Sequence, residues 1–273
     1  TLATNAAFSV QNAQSGQGTV SAQRSGGPEV NLTVGGAISN SKIAATGNAT
    51  LAGATSNSAA NGVAIDAVGV STTSAVQNLQ LTSAAVSSLT GQEGPLLTNK
   101  DGVQAVLGGA SIQGSQVTVD GNSAGGSATG NAAANSIDVK GNTIAVGNGL
   151  PLGGAANIGG IAGAVADHAL SNIQLVTSPT VSSKAAAAFG VDTAPGAVIS
   201  GSTLSVSNNT QSAKAVANTG SNAIALAATD VSARAALMSS QGSAAAVEAR
   251  SFMQAFAPAS VSAGLVESAV FAV

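Results

Sequence analysis

Three stretches of the chain, residues 37–65, 111–139 and 198–226, align on one another without a gap. Six columns are identical in all three. They are Ile38, Ile112 and Ile199; Ser41, Ser115 and Ser202; Asn48, Asn122 and Asn209; Ala54, Ala128 and Ala215; Asn57, Asn131 and Asn218; and Asn61, Asn135 and Asn222. A chain that repeats itself this way is built from supersecondary units, each needing its neighbours to bury an apolar face. The second block lies 74 residues after the first and the third a further 87, so the spacing between blocks is free while the blocks are not.

Within each block the apolar residues alternate. Ile43, Val117 and Leu204 are followed two residues on by Ala45, Val119 and Val206, and the blocks close on Val63/Ile65, Ile137/Val139 and Ile224/Leu226. Period two is the mark of a strand with one buried face, and the Asn and Gly residues between these pairs belong to turns. A shorter element precedes each block: VQNAQ at 10–14, VQNLQ at 76–80 and LSNIQ at 170–174, with a valine returning at Val20, Val86 and Val181. The expected organisation is therefore three units, 8–65, 76–139 and 170–226, joined by connectors of unequal length. All six prolines fall outside the long blocks, with Pro28, Pro95 and Pro195 shortly before them, as expected if the blocks are sheet. The fold class expected is all-β: a β-solenoid, or stacked cross-β-like architecture, of three imperfect repeats with an atypical C-terminal segment.

That segment, 227–273, holds three of the five phenylalanines, Phe252, Phe256 and Phe271, and both methionines. Its Ala-rich runs 233–237 and 244–256 read as helical, the second ended by Pro258, and the segment as a cap or as a docking element for a neighbouring molecule.

Composition narrows the function. Charged residues are 7% of the chain and aromatics 2%, while 44% is hydrophobic and the net charge is −3. A core without Trp or Tyr must be thin and aliphatic, and a surface this poor in charge is weakly defended against self-association. Equivalent residues of stacked sheets lie about 4.8 Å apart, so that Asn side chains can bond along the stack as ladders. On this reading Asn48, Asn57, Asn61, Asn122, Asn131, Asn135, Asn209, Asn218 and Asn222, with Ile38, Ile112 and Ile199, are structural stacking residues.

The layout resembles the Fap-type functional amyloid subunits of bacteria, which carry three Asn-rich repeats and unequal linkers. The local match is SNSAANGVAIDAVG at 56–69. The second and third units lack the Gly-Val element, Gln pairs are sparse, and a terminal Cys-x-x-Cys is missing. Holdfast-anchoring surface proteins are a looser second match through their Thr-Gly-Asn runs. What the resemblance implies is a secreted, extracellular or cell-surface structural subunit that assembles with itself into fibres or a biofilm matrix, with other surface or matrix components as further partners. The alternative is a monomeric β-helical adhesin or anchor. Ice binding would call for regular Thr columns, which the blocks lack.

No catalytic, cofactor or metal residue is expected. His168, beside Asp167 in the Gly-rich connector 140–169, reads as an exposed connector histidine rather than the base of a triad, since no nucleophile elbow accompanies it. DGNSAG at 120–125 begins like a calcium loop but carries Asn131 where the bidentate Glu belongs. Cysteine is absent, which removes disulfides and thiolate chemistry without excluding secretion. The initial Thr1 fits a mature form after signal removal and, equally, an arbitrary boundary of the stretch. Eight scattered basic residues form no nucleic-acid patch, and the Gly-rich window 149–166 is a poor spanning segment, so neither nucleic acid nor a transmembrane span is expected.

Overall fold

The computed structural model describes residues 6–24, 30–91, 102–109, 111–146, 153–154, 163–256, 265–267 and 270–272. Pro28, Pro95, Pro258, Glu29 and Glu93 lie outside them. Within them the chain is all-β.

Four successive sets of strands follow one another. The first contains β1 (Phe8–Gly16), β2 (Thr19–Arg24), β3 (Val30–Val34), β4 (Ile38–Ser39), β5 (Lys42–Thr46), β6 (Ala49–Asp66) and β7 (Gly69–Val70). The second contains β8 (Ser74–Thr82), β9 (Ala85–Thr90), β10 (Gly102–Leu107), β11 (Ser111–Gln113), β12 (Gln116–Asp120), β13 (Ser123–Lys140) and β14 (Thr143–Ile144). After the short pair β15 (Gly153–Gly154) and β16 (Val165–Ala166) come β17 (His168–Val176), β18 (Thr180–Thr193), β19 (Val198–Ser200), β20 (Thr203–Ser207), β21 (Thr210–Ala227) and β22 (Asp230–Val231). The last set is β23 (Ala235–Ser243), β24 (Ala246–Phe256), β25 (Leu265–Glu267) and β26 (Val270–Ala272).

Strands pair between sets, in parallel, with their equivalents. The sheet orders include β1-β8-β17-β23, β25-β19-β11-β4, β26-β20-β12-β5 and β21-β13-β6. In the third set β18 alone does the work of two strands, pairing β9 with its first half and β10 with its second. The register puts Val10, Val76, Leu170 and Leu237 side by side, and likewise Val20, Val86, Val181 and Val247. Parallel sheets need both faces covered. The 18-residue strands β6, β13 and β21 form a layer packed against β1, β2 and their equivalents.

Spacing differs only between strands. Partners lie 66 apart in β1/β8 and 74 apart in β6/β13, an excess of 74 − 66 = 8 residues, of which seven fall between Thr90 and Val103 and one between Leu107 and Ile112. They lie 94 apart in β8/β17, an excess of 94 − 74 = 20 that falls between Ile144 and His168. Lengthening a loop costs little, whereas a one-residue slip inside a strand would turn its buried face outward.

The core between the layers is aliphatic except for Phe189. One end gathers Ile38, Ile112, Ile199, Val117, Leu204, Val103, Leu107 and Phe189; the other gathers Val63, Val70, Ile137, Val139, Ile144, Val76 and Leu170; Ala54, Ala128, Val86 and Val181 lie in a third cluster. At about 1.5–3 kcal/mol per fully buried aliphatic side chain, such columns replace the aromatic core the composition denies.

Three expectations need correction. Most of the Asn and Gly residues between the apolar pairs, Asn57 and Asn61 among them, lie not in turns but within the continuous strands β6, β13 and β21. Residues 235–243 and 246–256 are strands, paired over their length with β17 and β18, not helices. Helix propensity is a weak local preference, and here the open edges of β17 and β18 supply backbone partners that no isolated helix could match. The Gly-rich connector, where it is described, is not a free loop. Gly153–Gly154 pairs antiparallel with Val165–Ala166, and Ala164 is buried with its N–H on Ser171 Oγ at 2.9 Å.

Candidate functional site

The repeated polar residues begin at two corners of each set. Asn40, Gly114 and Gly201 have φ of 45°, 55° and 54°, and Gly47, Gly121 and Asn208 have 69°, 64° and 51°. The left-handed region is open to Gly and tolerated by Asn, which is why these two residue types alternate there. The residue after each corner faces its equivalent in the next set. Ser41 N–H donates to Ser115 Oγ at 3.2 Å and Ser115 N–H to Ser202 Oγ at 3.1 Å. Asn122 Oδ1 accepts from both the backbone N–H (3.0 Å) and the Nδ2 (2.8 Å) of Asn48, and Asn209 Oδ1 does the same for Asn122 at the same distances.

Two further columns run along β6, β13 and β21. Asn57 Nδ2 donates to Asn131 Oδ1 and Asn131 Nδ2 to Asn218 Oδ1, each at 2.8 Å. Asn61, Asn135 and Asn222 repeat the arrangement at 2.8 Å. Facing them across the interior are columns absent from the expected stacking residues. Asn12 donates to Asn78 at 2.8 Å and Asn78 to Asn172 at 2.7 Å. Gln80 donates to Gln14, Gln174 to Gln80 and Gln241 to Gln174, at 2.8, 2.8 and 2.7 Å.

Each amide has a second donor hydrogen, and those of the Gln column and of the Asn57, Asn131 and Asn218 column join the two layers. Gln14, Gln80 and Gln174 donate to the carbonyls of Ser58, Ala132 and Thr219 in the long strand of their own set. Asn57, Asn131 and Asn218 donate to the carbonyls of Leu81, Leu175 and Gly242 in the following set. Buried amides left without partners would cost about 1–3 kcal/mol each; here the ladder takes one donor and the facing strand the other. Close approach matters as well: a Cβ on Gly130 would stand 2.4 Å from the Ala217 carbonyl oxygen.

Ile38, Ile112 and Ile199 lie in one register line in β4, β11 and β19, and each is almost fully buried. All twelve residues named as stacking positions thus fall into four lines across the sets. The Gln and Asn columns of β1, β8 and β17 were legible in VQNAQ, VQNLQ and LSNIQ. The fourth copy, LMSSQ at 237–241, is hidden because Ser239 replaces the asparagine.

His168 corrects the exposed-connector reading: it is the first residue of β17 and fully buried. Its extended backbone places it beside Ser74 and Ala235, two residues ahead of the repeated motif that would have marked the strand. Its Nδ1 lies 2.9 Å from Ser74 Oγ, while Nε2 has no hydrogen-bond partner. Burial pushes the imidazole pKa down against the partial opposition of Asp167, so the ring is neutral at pH 7. Asp167 does not orient that ring. Its Oδ2 accepts from the backbone N–H of Arg234 at 2.9 Å and from Arg234 Nε at 3.2 Å. Burial works against the carboxylate, but these Arg234 contacts and His168 outweigh it and hold the carboxyl below its usual range. The geometry is a clasp between the third and fourth sets, without the carboxylate–imidazole–hydroxyl order that triad catalysis needs.

Asp120, at the head of the calcium-like stretch, accepts from Ser207 Oγ at 2.6 Å and Asn208 Nδ2 at 2.9 Å, bonds that lower its pKa. Among the described residues no three of His, Cys, Asp and Glu gather as a metal site would require, and no helix is long and apolar enough to cross a membrane. No protein-family model, curated protein or solved structure matches the chain.

Proposed function

We propose that the four sets are successive turns of a flattened β-solenoid and that the protein is a self-assembling structural subunit of an extracellular fibre or surface matrix. The observation that carries this reading is the amide ladder system. Ladders of Asn and Gln running perpendicular to parallel, in-register strands are the chemistry by which extended chains add to one another without limit. Among the described residues the outer edges of β1, β2 and β6 have no strand beside them. An unpaired edge is a template for another chain, and the 7% charge content provides little to repel one. The resemblance to Fap-type subunits points the same way.

A test is the triple substitution of Asn57, Asn131 and Asn218 by Asp. Three like charges in one buried column remove the ladder donors and repel one another, so assembly followed by light scattering should be abolished. Assembly at the wild-type rate would refute the role of the ladder.

The second reading, a monomeric adhesin or anchor, is favoured by one feature. The outward face of β6, β13 and β21 is long and lined by small residues, with an open trough crossing it between Ala60, Ser136 and Ala223. Discrete, non-assembling particles that bind a polymer or surface would favour it.

A further inference from the structure

One amide ladder contains a reactive pair that its other rungs lack. Among the described residues Asn61 is the one asparagine followed by glycine, Gly62. In the same two columns Asn135 is followed by Ser136 and Asn222 by Ala223. The fold does not ask for that glycine. Gly62 lies inside β6, is not among the glycines with positive φ, and a Cβ built on it would meet Ser136 Oγ, a rotatable hydroxyl, at 3.1 Å. Glycine inside a strand weakens it, and here no turn, corner or backbone approach explains its presence.

We propose that Asn61–Gly62 is a self-modification site, which deamidates in the unfolded chain and is shielded by the ladder in the folded one. The reaction needs only water. The Gly62 nitrogen attacks Asn61 Cγ and gives up its proton, the Cγ–Nδ2 bond breaks, ammonia leaves, and a five-membered succinimide remains. Water then opens the ring at either carbonyl, giving aspartate or, with one more carbon in the main chain, isoaspartate. Glycine favours the attack because no Cβ crowds the nitrogen and the backbone turns freely. The folded chain opposes it in two ways. Ring closure needs Asn61 Cβ and the Gly62 nitrogen nearly eclipsed, and the extended backbone of a strand holds them far from that. The carboxamide is also tied down, with Asn61 Nδ2 donating to Asn135 Oδ1 at 2.8 Å and to Asn78 Oδ1 at 3.2 Å. Reaction in the native state therefore waits for local opening of β6. Either product is refused on refolding. A carboxylate at this position brings charge and no donor to two acceptor oxygens. Isoaspartate lengthens the main chain just before Val63 and Ile65, which pack with Val70 and Val76. The pair thus marks chains that remain unfolded and keeps them out of the column.

The test follows Asn61 in the full chain by peptide mass spectrometry, in mildly alkaline buffer with and without denaturing urea. Conversion should be at least about tenfold slower in the folded chain, since it waits on local opening. In urea Asn61 should keep pace with Asn148–Gly149, the same dipeptide outside the described residues, and outrun Asn135–Ser136. Equal rates at Asn61 with and without urea would overturn the proposal. Gly62→Ala should refold, because alanine already stands at the equivalent Ala223, and should slow the reaction in urea. An unchanged rate in that variant would overturn the assignment to this pair. The consequence is read in an Asn148→Gln chain aged in urea, whose converted fraction is separated by charge and compared with its own unaged fraction. The converted chains should refold with a lower urea midpoint and faster hydrogen exchange in 57–66, and Asn61→Asp should show the same deficit without ageing. Converted chains and Asn61→Asp that both match the unaged chain would show that the ladder accepts the lesion, and would overturn the proposal as well.

Discussion

Asn57 and Asn131 are 74 residues apart in sequence and joined side chain to side chain by a 2.8 Å hydrogen bond. Asn131 also donates to the Leu175 carbonyl and to Asn218, accepts from Thr82 Oγ1 at 2.6 Å, and is 0% exposed. It ties both neighbouring strands of its layer to the facing layer.

Replacing Asn131 by Ala should therefore destabilise the chain by about 1–3 kcal/mol, since its partners are left buried and unpaired. Replacing it by Asp should cost more, about 3–5 kcal/mol, because a charge is then buried without a counterion. Asn12, less buried and in the first set, should cost less than Asn131 when changed to Ala. Urea denaturation midpoints would check the order.

At the corners, Gly121 has φ of 64° with nothing within 4 Å of a built Cβ, so an added methyl meets backbone strain alone. Gly121→Ala should cost about 1–2 kcal/mol. Asn208→Gly, at the equivalent corner, should stay within about 1 kcal/mol because glycine accepts the same conformation. Thermal denaturation of the two variants would show the contrast.

Acid should loosen the junction between β17 and β23 first. His168 has its folded pKa lowered, so its contribution is present above the ordinary value of 6.5 and is lost as pH falls from there toward the folded value. Asp167 is also lowered, so the stability it gives is present above 3.8 and lost as pH falls through its folded pKa. The groups facing this point are Ser74 from β8, Asp167 beside the ring, and Arg234 ahead of β23. Hydrogen exchange in 168–176 and 235–243 should accelerate below about pH 6 before it does in 123–140. Arg234→Ala should narrow its stability deficit against wild type as the carboxylate is titrated away.

Ending the chain at Ala227 removes β23 and β24, which pair along β17 and β18, and leaves Asp167 without Arg234. The truncated chain should aggregate faster and with less order than the full chain, read by light scattering and microscopy. Soluble monomers instead would assign residues 228–273 to docking rather than capping.

Much of the strand architecture was legible because it is written in columns. Identical Ile, Ser, Asn and Ala positions mark strands and corners together, since a parallel in-register sheet sets like beside like. The fourth set was not legible as strand. Leu237, Gln241, Val247 and Val266 keep the columns, but the asparagines that announce the other sets are gone and Ala-rich runs imitate a helix. His168 was misplaced for a related reason: its Gly-rich neighbourhood reads as loop, and only pairing with Ser74 and Ala235 reveals the strand. The cross-layer bonds of Gln80 and Gln174 have no sequence signature, because their acceptors are backbone carbonyls.

Electron microscopy of the purified chain tests the central claim most directly. The account predicts unbranched filaments of uniform width, with strands perpendicular to the long axis and a meridional diffraction spacing of about 4.8 Å. Monodisperse single particles at every concentration and time would contradict it.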